Sequence, residues 1–184
     1  MEGCVQIRLS LVLSIGCALA GIRCASSPTA PSTPAGVTTI AFAGVTAAGP
    51  VTIVGENGYS ISVAGPWQGV ATFGSPAPMI QFVTPAGAAQ SASLQVFAND
   101  HAAFTFRSVD LYSSITPIPY TITGARGSTV VFVMADTIPN TFGTFRTVSS
   151  THANDAIDTL TIDLRNPMTC CPNPIGVDTI VLAR

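Results

Sequence analysis

Ala103-Phe-Thr-Phe-Arg-Ser-Val-Asp-Leu-Tyr112 carries the pattern that decides the fold of this chain. Phe104 and Phe106 share one parity, whereas Val109 and Leu111 share the other. Successive side chains of a strand point to opposite faces, so a regular strand buries only one of these pairs. Burying both requires one inserted residue, and a β-bulge is expected at Arg107 or Ser108. The same slip separates Ile157 from Leu160, Ile162 and Leu164, and Val177 from Ile180 and Leu182. Bulges bend strands, which suits the curved sheets of a jelly roll better than a flat stack of hairpins.

Working outward, Val37–Phe42, Val51–Val54, Tyr59–Val63, Met79–Val83, Leu94–Phe97, Tyr120–Thr123, Thr129–Ala135, Thr144–Ser149, Leu160–Leu164 and Val177–Leu182 share the enrichment in Val, Ile, Phe, Tyr and Thr. Turn-forming stretches stand between them, among them Ala48-Gly-Pro50, Glu56-Asn-Gly58, Gly74-Ser-Pro-Ala-Pro78 and Gly124-Ala-Arg-Gly127. Short strands punctuated by Gly and Pro indicate an all-β, antiparallel jelly-roll β-sandwich over residues 37–184. No window shows a 3.6-residue apolar period of helical length. Thr129-Val-Val-Phe-Val-Met134 is apolar on both parities and is expected at the centre of a sheet.

Before this domain the chain has a different character. Arg8 precedes the apolar run Leu9–Ile15, which continues to Ala20, and a Ser/Pro/Thr/Ala stretch, Ser26 to Pro34, follows. A basic flank, a short apolar core and small residues read as an export signal over residues 1–24, with a linker over 25–36. A helix retained in the membrane needs about 20 apolar residues, more than this run supplies. Two processing routes are open: cleavage after Ala18-Leu-Ala20, or lipidation of Cys17 or Cys24 as in a bacterial lipoprotein. The protein is accordingly expected outside the cytoplasm, in the periplasm, on the outer membrane or in the medium, touching a membrane only through an N-terminal lipid.

Charged residues make up 9% of the chain and apolar ones 47%, and there is no lysine, so Ser, Thr, Asn and Gln must fill most water-facing positions. A net charge of -2 without a basic run gives no footprint for nucleic acid. Beyond the leader the only cysteines are Cys170 and Cys171, in the proline-rich stretch Asn166–Pro174. They can form a vicinal disulfide, cross-link two chains or remain thiols. Neither His101 nor His152 is near them in sequence, as a zinc site would favour.

The succession Thr39-Ile-Ala-Phe-Ala-Gly44, Gly55-Glu-Asn-Gly-Tyr-Ser-Ile61, Phe104–Leu111, Ile157–Ile162 and Gly176-Val-Asp-Thr-Ile-Val-Leu182 resembles the β-sandwich domains of exported bacterial proteins that carry a PEP-CTERM sorting tail. Their jelly roll is similar to galactose-binding-like and carbohydrate-binding modules. Thr179 stands where that family often has Asn, and no Pro-Glu-Pro motif precedes Arg184, so sorting through such a tail is not expected. The resemblance implies a structural calcium between the first and last strands, held by Glu56, Asn57 and Asp178 through hard oxygen ligands. The alternative is that Glu56-Asn57-Gly58 is merely a turn and Asp178 a solvated residue at a bulge.

Sugar recognition needs an aromatic platform ringed by polar groups. Trp67, in the turn-like Ala64-Gly-Pro-Trp-Gln-Gly69, is the only tryptophan; Tyr59, Tyr112, Tyr120, Arg107, Arg126 and Asn99 are its candidate companions. A lone tryptophan can equally serve as a core or rim residue. Glycoside hydrolysis needs two facing carboxyl groups, and Asp100, Asp110, Asp136, Asp155, Asp158 and Asp163 show no marked pairing. Gly-x-Ser-x-Gly, phosphate loops and zinc helices are absent, so no catalysis is expected. The expected function is a non-catalytic binding module at the cell envelope, for carbohydrate or another envelope component. A structural or adhesive surface protein that pairs through an exposed sheet edge is the alternative, and a hydrolase the third.

Overall fold

The computed structural model describes residues 36–184. The export signal, Cys17, Cys24 and all of the linker but Gly36 lie outside the described residues. Among those residues the chain forms thirteen strands: β1 (Val37–Ile40), β2 (Gly49–Pro50), β3 (Ile53–Glu56), β4 (Tyr59–Ala64), β5 (Gln68–Val70), β6 (Met79–Thr84), β7 (Gln90–Ala98), β8 (Thr105–Ser113), β9 (Ile118–Arg126), β10 (Thr129–Ile138), β11 (Arg146–Ser149), β12 (Thr159–Asn166) and β13 (Asn173–Ala183). Sheet A runs β11-β8-β13-β6-β5-β2, with β1 also paired to β13, and sheet B runs β10-β9-β12-β7-β4-β3. From β6 to β9, and again from β10 to β13, successive strands alternate between the sheets, which makes the antiparallel β-sandwich a jelly roll.

The slip in Phe104–Leu111 is resolved as expected. Along the β8–β13 ladder Val181 faces Ser108 and Leu182 faces Phe106, leaving Arg107 as the extra residue. Phe104, Phe106, Val109 and Leu111 are therefore all buried. On β13, Asp178 faces Asp110 and Ile180 faces Val109, so Thr179 is the extra residue and Val177, Ile180 and Leu182 all reach the core. The third slip is not a bulge: β12 pairs without a register shift, and Ile157 lies before it in an isolated bridge to Phe104.

β13 organises sheet A. One edge pairs with β8 along its length; the other pairs with β6 over Asn173–Val177 and with β1 over Ile180–Ala183. Asp178 and Thr179 occupy the changeover.

The expectation for Thr129–Met134 is corrected. β10 is the outer edge of sheet B, and Val130, Val131 and Val133 are 57%, 39% and 55% exposed. Of this run Phe132 is buried in the core, where its ring lies over Gly124, Met134 packs half-buried against the core, and Val131 is bulged out between Val130 and Phe132. A bulge on a β-branched edge discourages pairing with a further strand. β2 and β5 escape a pattern-based reading because two or three residues, two of them glycine, show no alternation.

Glu56 explains a strained position. The β3–β4 hairpin turns on Asn57 and Gly58, with φ of 50° and 83°, the left-handed pair of a type I′ turn. That turn aims the Glu56 carboxylate at the loop after β1, where Oε1 and Oε2 accept the N–H groups of Ala41 and Ala43 at 3.0 and 3.1 Å. Between them Phe42 is held at φ 56°, fully buried. A bulky residue in that region costs on the order of 1–3 kcal/mol and persists only where its surroundings impose it. Glu56→Ala is expected to lower unfolding free energy by about 1–3 kcal/mol, since two N–H groups lose a charged acceptor. Chemical denaturation checks this, and an unchanged midpoint contradicts the clamp.

Candidate functional site

The side chains expected to form a sugar platform are dispersed. Trp67 is 1% exposed: its ring packs edge-on against Phe82 at 5.2 Å and its indole N–H donates to the Ser93 carbonyl at 2.9 Å. It is a core residue, because the apolar indole gains most by burial and its one donor finds an acceptor there. Tyr59 is equally buried, edge-on to Phe104, with its hydroxyl accepting from Arg184 Nε at 3.1 Å. Arg107 sits half-buried at the β8 bulge, and Tyr112 packs on the outer side of sheet A between Phe73 and Phe145. These four do not converge on one groove.

The implied metal ligands have other partners. Both Glu56 oxygens are taken by the loop after β1, and Asn57 Nδ2 donates to the Thr39 carbonyl at 2.8 Å. Asp178 is fully buried rather than solvated, accepting from the N–H groups of Ser75 and Thr179 and from the Thr179 hydroxyl. Burial foremost, and the nearby Asp110 charge, push its pKa above the ordinary carboxylate range against the pull of those hydrogen bonds. Among the described residues no three His, Cys, Asp or Glu side chains stand close enough to hold a metal ion. Cys170 and Cys171 are both exposed, with sulfurs 2.7 Å apart. Below their loop Asn166 and Asn173 are fully buried and bonded to each other, which anchors it to Thr116 and Ile115.

The polar groups that do converge lie on the outer face of sheet B. Leu160, Ile162 and Leu164 of β12 face the core, so Thr161, Asp163 and Arg165 face out. The same alternation on the neighbours puts Thr121, Thr123, Ser91, Ser93, Gln95 and Ser62 on that face. Register aligns them in rows across the strands: Val133, Thr123, Thr161, Gln95, Ser62, Ile53 in one, and Ala135, Thr121, Asp163, Ser93, Ala64 in the next. Neighbouring members of a row are about 5 Å apart.

Asp163 lies on the second row in a groove of about 520 Å³, walled by Ala64 and Gly65 on one side and Pro119 and Tyr120 on the other. Ser93 and Thr121 flank it directly, and Arg165 follows two residues on. Partial burial raises its pKa above the usual carboxylate value. Tyr120 is shifted upward too, by burial first and then by Asp136, with Arg146 opposing. The groove thus offers a carboxylate that accepts two hydroxyl protons, a guanidinium that donates and hydroxyls that do both, while the Tyr120 side chain shares the inward parity of Ile118 and Ile122 and packs against the core. The Thr/Ser alternation beside Leu160–Leu164 was the available signal; Arg165 and Ser93 carry no motif of their own.

No family model matches this chain, and no curated protein matches it. Among solved structures it is similar to the carbohydrate-binding module TmCBM61 in complex with β-1,4-galactotriose, at 9% identity over 66% of this chain and 86% of that one, with a TM-score of 0.44. The family 11 carbohydrate-binding module of the cellulosomal cellulase Lic26A-Cel5E of Clostridium thermocellum is also similar, at 15% identity over 82% and 95%, with a TM-score of 0.37. A third is the arabinose-bound α-L-arabinofuranosidase MgGH51, at 11% identity over 79% of this chain and 24% of that one, with a TM-score of 0.40.

Two measurements check the placement of these side chains. Trp67 emission is expected to be blue-shifted and resistant to iodide; ready quenching contradicts its burial. Because the folded-state pKa of Asp163 lies above its unfolded value, the native state binds the extra proton in the interval between them, and stability falls as pH rises through that interval. Asp163→Asn is expected to remove that part of the pH dependence of unfolding, and an unaltered profile contradicts it.

Proposed function

We propose that the outer face of sheet B binds neutral carbohydrate without transforming it, in a module exported to the cell envelope. The observation that carries this reading is Asp163, flanked in register by Ser93 and Thr121 in a groove that Arg165 also lines. Vicinal sugar hydroxyls suit a carboxylate acceptor bordered by hydroxyls, with the Arg165 guanidinium beside it as a donor to further sugar oxygens. Among the residues lining the groove Asp163 is the only carboxyl group, whereas acid/base cleavage of a glycoside uses two. Export rests on the leader pattern of residues 1–24, and the envelope setting on the resemblance to PEP-CTERM-associated domains.

The exposed valines of β10 favour a second reading, a surface protein whose apolar side chains at Val130, Val131 and Val133 meet a protein partner, the bulge there disfavouring strand-to-strand pairing.

Calorimetric titration against a panel of neutral oligosaccharides, β-1,4-galactotriose and arabinose-containing chains included, tests the first. At least one member is expected to bind, with Asp163→Ala and Arg165→Ala each weakening it about tenfold or more, the scale of one hydrogen bond to a charged group. A blank panel, or unchanged affinity in Asp163→Ala, overturns the reading.

A further inference from the structure

On the opposite side of the sandwich, we propose, a second groove takes a small organic ammonium ion. Two connections lean over the outer face of sheet A there, residues 71–78 between β5 and β6 and residues 139–145 between β10 and β11. Phe73 from the first meets Phe145 from the second at 5.6 Å between ring centroids, tilted by 31°. Tyr112 of β8, itself buried, touches both at 5.3 and 5.6 Å and so backs the two phenylalanine rings that line the groove. Phe73 is 36% exposed, which leaves aromatic area facing water.

The groove measures about 450 Å³, and its lining includes Phe73, Ser75, Asp110, Phe145 and Thr147 but no basic side chain. The Thr147 hydroxyl donates to Asp110 Oδ1 and so fixes the carboxylate in place. Directly across the ladder from Asp110 stands Asp178, fully buried and saturated by Ser75 and Thr179. Like charges facing each other on neighbouring strands are destabilising, and here no Arg or Lys lines the groove to offset them. A cation held at Asp110 relieves that repulsion, while the ring faces beside it attract the same charge through their quadrupoles.

Charge complementarity therefore selects a cation, and the aromatic walls select one with an apolar body over a hydrated metal ion. The volume falls in the range of small-molecule sites, so the occupant is a free alkylammonium compound and not a protein segment. This site shares no residue with the Asp163 groove and stands whether or not that groove binds sugar.

Calorimetric titration of the folded chain with choline, and with its uncharged carbon isostere 3,3-dimethylbutan-1-ol, tests it. Choline is expected to bind, and the isostere at least about tenfold more weakly, because only the cation engages Asp110 and the ring faces. Asp110→Asn, which keeps the side-chain shape, is expected to weaken choline by a similar factor, and Phe145→Ala to weaken it as well. Unaltered Trp67 emission verifies that each variant is folded. The proposal is overturned if choline does not bind, if the isostere binds as tightly, or if Asp110→Asn leaves choline affinity unchanged.

Discussion

Everything in sheet A depends on the changeover in β13, where the partner on one edge switches from β6 to β1 across Asp178 and Thr179. Without the extra residue at Thr179, either Ile175 and Val177 or Ile180 and Leu182 would face water. Each of these four is fully buried, and each such side chain contributes about 1.5–3 kcal/mol by leaving water. The insertion at Arg107 on β8 answers the one on β13, so both strands keep their apolar sets inside while the sheet bends. Asp178 ties the connection before β6 to this point through the Ser75 N–H, which is how a backbone irregularity comes to organise a loop.

The bulges were legible because parity is a strict constraint: residues such as Phe106 and Val109 cannot both be buried in a regular strand. The same rule reveals the polar face of β12, since Leu160, Ile162 and Leu164 leave Thr161, Asp163 and Arg165 only one direction. Where parity is silent, the reading went astray. Thr129–Met134 is apolar on both parities, which suits a central strand and a β-branched edge strand alike, and only the neighbours of β10 distinguish them. Trp67, with Gly and Pro around it, left a platform and a core role both open, and the turn folds its ring inward to a carbonyl acceptor on β7. The convergence of Thr121, from β9, with Ser93, from β7, and Asp163, from β12, depends on strand order, which no local pattern encodes.

The two outer faces of the sandwich follow from a composition poor in charge. With 9% charged residues, sheet B covers its exposed side with Thr, Ser and Gln, which present donors and acceptors without fixed sign. Asp163 and Arg165 then stand out as the groups able to make charge-assisted hydrogen bonds in that groove. Sheet A is instead partly roofed by connections that bring phenylalanine rings next to a carboxylate. The two faces of the sandwich thus differ in chemistry, hydroxyls without fixed charge on one and phenylalanine rings beside a carboxylate on the other.

The most direct test of the central claim, that sugar is recognised on the face of sheet B, is to map backbone amide NMR shifts while a bound neutral oligosaccharide is titrated in. The account predicts that perturbations concentrate at Ser93, Thr121, Asp163 and Arg165, with Phe73, Asp110 and Phe145 unmoved. Shifts confined to sheet A or to the β10 edge, with the Asp163 row silent, would contradict it.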